Sequence, residues 1–140
     1  MVVTLIKWAR ENEKLKFSLF APFNETDLSW PEGPGITVEG TVPATKAVIK
    51  KLGEYGMSDI KLIVMDDNGV RFRKLRQILN DTTMLPYISK FAVHTYGMGY
   101  EQNADWWPAK SEYGMFTDSI RNSKYKNCSV WLTEFGDLDQ

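Results

Sequence analysis

The sequence predicts an α/β fold in which parallel strands alternate with helices. Short apolar runs that end at proline, glycine or Asp-Asn-Gly alternate with segments whose apolar residues recur at helical spacing. Strands separated by helices pair in parallel through right-handed crossovers. The chain has 140 residues, 43% of them hydrophobic and 25% charged, so one domain over residues 1–140 with its own core is predicted.

The first half of the chain contains two predicted strands with a helix between them. The strand at Leu15–Pro22 ends at a proline, which cannot donate a ladder hydrogen bond, and it follows the end of a helix at Leu5–Lys14. Apolar residues at helical spacing, closed by glycines, predict a helix at Ala44–Tyr55. Ile60–Met65 is nearly all apolar, as expected for a strand covered on both faces, and Asp66–Gly69 predicts a turn after it.

The second half of the chain repeats the alternation. A basic helix at Val70–Leu79 precedes a strand at Lys90–Tyr96, which two nearby glycines follow. A helix at Ser111–Ser123 and a strand at Asn127–Glu134 complete the pattern. The order is therefore helix end, strand, helix, strand, helix, strand, helix, strand.

Composition excludes several classes of function. The 17 basic and 18 acidic side chains leave no positive excess for nucleic acid. Cys128 and His94 are each the only residue of their type, which excludes a disulfide framework, a cysteine-based metal site and a multi-histidine zinc centre. The longest apolar runs are far below the roughly 20 residues that span a membrane, and Met1–Trp8 does not read as a signal peptide. We expect no metal, cofactor or membrane partner, and the cellular location stays unknown.

Polar side chains cluster at the carboxyl ends of the predicted strands. Asn24-Glu25, Asp66-Asp67, His94 with Tyr96, and Glu134 each follow or close a different strand. In α/β folds this edge of the sheet is where ligands bind. The sequence therefore predicts a functional site there, with Glu25 and Glu134 as the leading residues.

The motifs at three of these strand ends resemble those of a known enzyme group. Phe23-Asn24-Glu25, His94-Thr95-Tyr96 and Trp131–Gly136 follow one another in that order, with two complete strand–helix units between the two glutamates. In these features the chain resembles the retaining glycoside hydrolases of clan A, which are (β/α)8 barrels, and is most similar to family 30. In that group the Asn-Glu pair closes the fourth strand and a second glutamate closes the seventh.

The resemblance implies an enzyme that cleaves β-linked glycans, with a carbohydrate as its substrate. Glu134 would be the nucleophile and Glu25 the general acid/base of a retaining mechanism. Asn24 would bind the sugar 2-hydroxyl, Tyr96 would orient Glu134, and His94 would line the same wall. Flat indole rings stack well on sugar C–H surfaces, so the substrate-binding tryptophans are predicted to be Trp30, Trp106 and Trp107.

The resemblance also implies a partial barrel. It runs from the fourth strand to the seventh, whereas a complete (β/α)8 barrel has roughly 250 residues. The expected fold is therefore about half a TIM barrel, with four parallel strands and their helices. Its two edges, Lys16–Phe20 and Ser129–Thr133, would need partners. A homodimer or higher homo-oligomer, or a complementary fragment, would complete the barrel.

Each assignment has a simpler structural alternative. Glu25 and Glu134 can be solvated acids at strand ends, His94 and Tyr96 can be buried core residues, and the exposed tryptophans can pack against other protein surface. Turn chemistry is the preferred interpretation of Asp66-Asp67. Arg71, Arg73, Lys74 and Arg76 are expected on a solvated helix face, Trp131 in the core, and Cys128 without a nucleophilic role.

Two alternatives for the whole chain remain open. The first is a non-catalytic half-barrel assembly or sugar-binding module that keeps the rim residues but does not turn over substrate. The second is an unrelated open α/β sheet resembling a response regulator, which Asp66-Asp67 favours, although no phosphate-binding glycine loop is present.

Overall fold

The computed structural model describes residues 2–28, 33–94 and 112–134. In these residues four α-helices alternate with four β-strands. The helices are α1 (Val2–Asn12), α2 (Thr41–Glu54), α3 (Phe72–Asn80), which a 3₁₀ turn at Thr82–Met84 follows, and α4 (Glu112–Arg121). The strands are β1 (Leu19–Phe20), β2 (Lys61–Asp67), β3 (Ile88–His94) and β4 (Ser129–Glu134).

The strands form one sheet in the order β1-β2-β3-β4, and every neighbouring pair is parallel. The predicted α/β class with four parallel strands is confirmed. The order of these four strands contains no reversal, unlike the 2-1-3-4-5 order of open sheets of the flavodoxin and response-regulator type. A consecutive order fits an arc of a barrel, and closure of that barrel stays a prediction.

Two strand boundaries differ from the prediction for physical reasons. β1 is a two-residue edge strand rather than Leu15–Pro22, because only Leu19 and Phe20 are in register with β2. β2 extends to Asp67, so the predicted turn at Asp66-Asp67 is wrong. The turn follows at Asn68-Gly69, where Gly69 has φ +119°, a value that side-chain-bearing residues rarely adopt.

The hydrophobic core lies between the sheet and its helices. Alternating residues of the central strands, such as Leu62 and Phe91, are fully buried there with Ile78 and Phe116 of the helices. Trp131, expected in this core, is 40% exposed because β4 has a neighbouring strand on one side only among the described residues. None of the described helices combines the length and the apolar character needed to cross a membrane.

Most of the exposed large apolar side chains among the described residues belong to the first helix and the segment after it, or to the last helix and strand. α1 and the segment after it expose Val2, Leu5, Trp8 and Leu15, and α4 with β4 exposes Met115, Trp131 and Leu132. Trp131 and Leu132 lie on β4, which is the outermost described strand on its side of the sheet.

A surface ion pair ties α2 to the end of α3 and makes stability depend on pH. Lys46 Nζ lies 2.6 Å from Asp81 Oδ2, and Asp81 Oδ1 accepts a 3.0 Å hydrogen bond from the Thr83 N–H. The hydrogen bond from Lys46, with help from Thr83, lowers the pKa of Asp81 from 3.8 to about 2. A carboxylate whose pKa is lowered by folding stabilises the folded state above its ordinary pKa and loses that contribution as the pH falls.

Asp81→Asn is therefore expected to lower the melting temperature at neutral pH. The difference from the original protein should shrink as the pH falls from about 4 to about 2, because Asp81 itself becomes neutral in that range. Thermal melting of both proteins, followed by circular dichroism across this range, measures the difference. A difference that stays constant down to the lowest pH would contradict the assignment.

Candidate active site

Four polar side chains converge at the carboxyl edge of the sheet. His94 ends β3, Glu134 ends β4, and Asp66 is the next-to-last residue of β2. Glu25 reaches the same place from the loop that follows β1, because its N–H donates a 2.7 Å hydrogen bond to the Asp66 carbonyl oxygen. Parallel strands put all their carboxyl ends on one side, which explains why residues distant in sequence meet here.

His94 is the centre of the group. Its side chain is completely buried, and Nδ1 lies at hydrogen-bonding distance, 3.0 Å, from Glu25 Oε1. On the other side of the ring, Nε2 lies 3.4 Å from Glu134 Oε1 and 3.5 Å from Asp66 Oδ1. These two distances are longer than those of a good N–H···O hydrogen bond. The imidazole therefore bridges the two predicted catalytic glutamates.

The two glutamates come from opposite edges of the sheet and still meet. One ligand atom from each of Glu25, His94 and Glu134 lies within 4.8 Å of the other two. In a flat sheet β1 and β4 would be three strand spacings apart, about 14 Å. The chain after β1 must therefore bend inward over the sheet edge. The 4.8 Å is an upper limit for one oxygen of each glutamate, and it is compatible with the about 5–5.5 Å between the carboxyl groups of retaining glycosidases.

Glu25 occupies a left-handed backbone conformation. Its φ is +47°, which is uncommon for a residue with a side chain, and the residue is buried. Glu25 begins a turn formed by residues 25–28. Gly33 packs against this turn so closely that a Cβ on Gly33 would lie 1.8 Å from the Glu25 carbonyl oxygen. The turn is thus enclosed by backbone on one side and by the end of β2 on the other.

Side chains from β2 and α3 hold the residues that follow Glu25. Thr26 Oγ1 donates to Asp67 Oδ1 at 2.6 Å, and Lys74 Nζ donates to Thr26 Oγ1 at 2.7 Å. Arg71 Nε donates to Asp27 Oδ2 at 2.9 Å. Burial raises the pKa of the Asp67 carboxyl, whereas the hydrogen bond from Thr26 and the charge of Lys74 oppose that rise.

Sequence reasoning missed Lys74 as a member of this arrangement, and it missed the hydrogen bonds of Asp66 and Asp67. Lys74 is buried, so its predicted place on a solvated face is wrong; its spacing of four from the apolar Ile78 was the available signal. Asp66 accepts a hydrogen bond from Thr133 Oγ1, and Asp67 joins the buried network. Their position at the end of a buried strand was the signal, and turn chemistry was preferred to it.

The remaining predicted site residues are placed as follows. Asn24 precedes Glu25 and is exposed. The predictions for Trp30, Tyr96, Trp106 and Trp107 fall outside the described residues. One nitrogen and two carboxylates at Glu25, His94 and Glu134 are donors of the kind that hold Zn²⁺, so the expected absence of a metal stays a prediction.

Comparison with known proteins finds no family model, no curated protein and no solved structure that matches this chain. Its function must therefore be inferred from the geometry of the described residues.

Proposed function

We propose that this protein is a retaining glycoside hydrolase of the clan A type, most like family 30, acting on β-linked glycans. One observation carries the proposal. One carboxyl oxygen of Glu25 and one of Glu134 lie within 4.8 Å of each other beside His94, at the sheet edge where α/β enzymes bind substrate. A retaining double displacement requires two carboxyl groups that are close together, about 5–5.5 Å apart.

The reaction proceeds in two steps. In the first, the Glu134 carboxylate attacks the anomeric carbon, the bond to the leaving oxygen breaks, and Glu25 gives that oxygen its proton. In the second, Glu25 takes a proton from water, the resulting hydroxide equivalent attacks the anomeric carbon, and Glu134 is released. The product keeps the β configuration because the anomeric carbon is inverted twice.

The surroundings of the two acids differ in a way that suits different roles. Glu25 is buried and hydrogen-bonded to His94, whereas the Glu134 side chain is 40% exposed. The hydrogen bond with His94 Nδ1 fixes the Glu25 carboxyl, and Asp66 lies near Nε2 of the same ring. Because Glu25 is held in place and Glu134 is partly exposed, a sugar ring can lie next to Glu134.

Further residues are assigned to substrate binding on the same proposal. Asn24 contacts the sugar 2-hydroxyl, His94 lines the wall, and Tyr96 orients Glu134. The tryptophans stack on sugar faces, and they are Trp30, Trp106 and Trp107.

The test of the proposal is hydrolysis with retention. The purified chain is incubated with a panel of aryl β-glycosides and β-linked oligosaccharides, and the first product is followed by proton NMR. We expect the β anomer to form first. Formation of the α anomer first would contradict the mechanism. Binding of an oligosaccharide without any turnover would favour the non-catalytic sugar-binding module, which is compatible with an open sheet.

We also propose that two copies join to form an eight-stranded barrel, with β4 of each copy beside β1 of the other. Such a seam would cover the exposed Trp131 and Leu132 of β4. It would also give partners to the backbone N–H and C=O groups that an edge strand leaves unpaired. Head-to-tail contacts of this kind close into a ring when the rotation that relates one copy to the next returns to the first copy.

Leu132→Asp is expected to convert a dimer into a monomer. Leu132 is 50% exposed on the outermost described strand, and a carboxylate there would have to be desolvated in the seam. Size-exclusion chromatography with light scattering should give twice the chain mass of 16.1 kDa for the original protein and that mass for the variant. Leu85→Asp is the control, because Leu85 is exposed in the segment before β3, which is a central strand of the described sheet. A well-folded original chain that stays at 16.1 kDa at high concentration would contradict the assembly.

A further inference from the structure

A buried polar triad lies directly behind the turn that carries Glu25. Asp67, Thr26 and Lys74 come from the end of β2, the turn and α3 respectively. The Thr26 hydroxyl links the other two, donating to Asp67 at 2.6 Å and accepting from Lys74 at 2.7 Å. Lys74 Nζ also lies 3.8 Å from Asp67 Oδ2, and the side chains of both residues are more than 90% buried.

The triad is not explained by stability alone. Burying a lysine and an aspartate costs desolvation, and apolar residues of similar volume often serve stability as well or better. Within the part of the chain that the structure describes, Asp67 Oδ2 accepts no hydrogen bond, which adds to that cost. The adjacent Glu25 is in the left-handed conformation, which persists only where its surroundings enforce it.

The contacts around the turn identify what the triad does. The Glu25 N–H bonds to the Asp66 carbonyl, and the next residue, Thr26, bonds to the next side chain, Asp67. Two successive residues of the turn are thereby locked to two successive residues of β2. Asp27, the next residue, is held as well, since its buried side chain accepts from Arg71 and, at 3.1 Å, from the Asn68 N–H. Those bonds act one residue further from Glu25 than the bonds of Thr26.

We propose that Asp67, Thr26 and Lys74 are positioning residues for Glu25. They hold the left-handed turn in a position where the Glu25 carboxyl is hydrogen-bonded to His94 Nδ1 and lies near Glu134. The catalytic meaning of this device rests on the proposed hydrolase function, whereas the placement of Glu25 against His94 does not. Positioning matters because a displacement of about 1 Å in a reacting group can cost roughly 10²-fold in rate.

The test uses Thr26→Val, which removes the hydroxyl at nearly constant volume, and Thr26→Ser, which restores it. Thr117→Val is the matched control, because among the described residues the Thr117 hydroxyl bonds within α4, to the Gly114 carbonyl at 2.8 Å. His94 is the only histidine in the chain, so its ring nitrogens give unique ¹⁵N NMR signals. Circular dichroism verifies that each variant is folded, and Asp67→Asn replaces Thr26→Val if that variant is not.

Thr26→Val is expected to shift the His94 Nδ1 signal away from its hydrogen-bonded position and to speed amide exchange at Glu25 at least tenfold. Thr26→Ser and Thr117→Val should leave both measurements unchanged. If the original chain hydrolyses glycosides, Thr26→Val should lower kcat roughly 10²-fold with KM within about threefold. A His94 signal and Glu25 exchange rate equal to those of Thr117→Val would overturn the positioning role. If the original chain does not hydrolyse glycosides, the proposed function is rejected. The NMR measurements then decide by themselves whether the triad positions Glu25.

Discussion

Glu134→Gln is expected to abolish glycoside hydrolysis, lowering kcat by about 10⁴-fold or more. Glutamine has the shape of glutamate but cannot form the glycosyl-enzyme ester, so the first step of the double displacement has no nucleophile. Because the Glu134 side chain is 40% exposed and lies 3.4 Å from His94 Nε2, the neutral amide should be accepted without loss of folding. Steady-state assays with an aryl β-glycoside, together with thermal melting, measure both effects.

Glu25→Gln is expected to produce a different loss, and the contrast identifies the roles. Removing a general acid costs roughly 10²–10⁴-fold for poor leaving groups and much less for leaving groups that need no proton. The rate of the Glu25 variant should therefore recover as the leaving group improves, whereas that of the Glu134 variant should not. Glu39→Gln is the control, since Glu39 is exposed and is 3.9 Å from its nearest partner, Arg73. Activity of the Glu134 variant above about a tenth of the original would contradict the assignment.

Gly33→Ala is expected to disrupt the site from a position that carries no functional group. The added Cβ would lie 1.8 Å from the Glu25 carbonyl oxygen and 2.4 Å from that of Leu28, and neither backbone atom can move without displacing the turn. We expect a loss of about 1–3 kcal/mol in unfolding free energy, as for other overpacked sites. We also expect roughly 10²-fold lower activity, because Glu25 is displaced from His94.

Gly53→Ala supplies the matched comparison. Gly53 lies near the end of α2, and a Cβ there would come no closer than 3.6 Å to its nearest neighbour, Ser58 Oγ. Alanine should be neutral or stabilise the helix by up to about 1 kcal/mol. Urea unfolding of both variants, with the His94 NMR signal as a second measurement, separates the two positions. Equal stability and equal His94 signals for the two variants would contradict the close packing at Gly33.

Local patterns in the sequence were sufficient for most of the fold. The alternation of helical spacing with short apolar runs predicts parallel strands with helical crossovers, because each element must bury one face. Boundaries were less accurate: β1 is shorter than predicted because a single-sided edge strand has few partners, and β2 is longer because Asp66 and Asp67 find hydrogen bonds at its end. Neither effect is encoded in the residues of the strand concerned.

The candidate site likewise has one part that the sequence predicts and another that only the folded structure shows. The sequence alone predicts that Glu25, His94 and Glu134 lie at strand ends, since polar residues close apolar runs there. It does not predict that Glu25 contacts His94, 69 residues away, or that Lys74 turns inward to Thr26, 48 residues away. Those contacts depend on a left-handed turn and on buried charges, both of which are unfavourable by themselves. They persist because distant parts of the folded chain surround them and form hydrogen bonds with them.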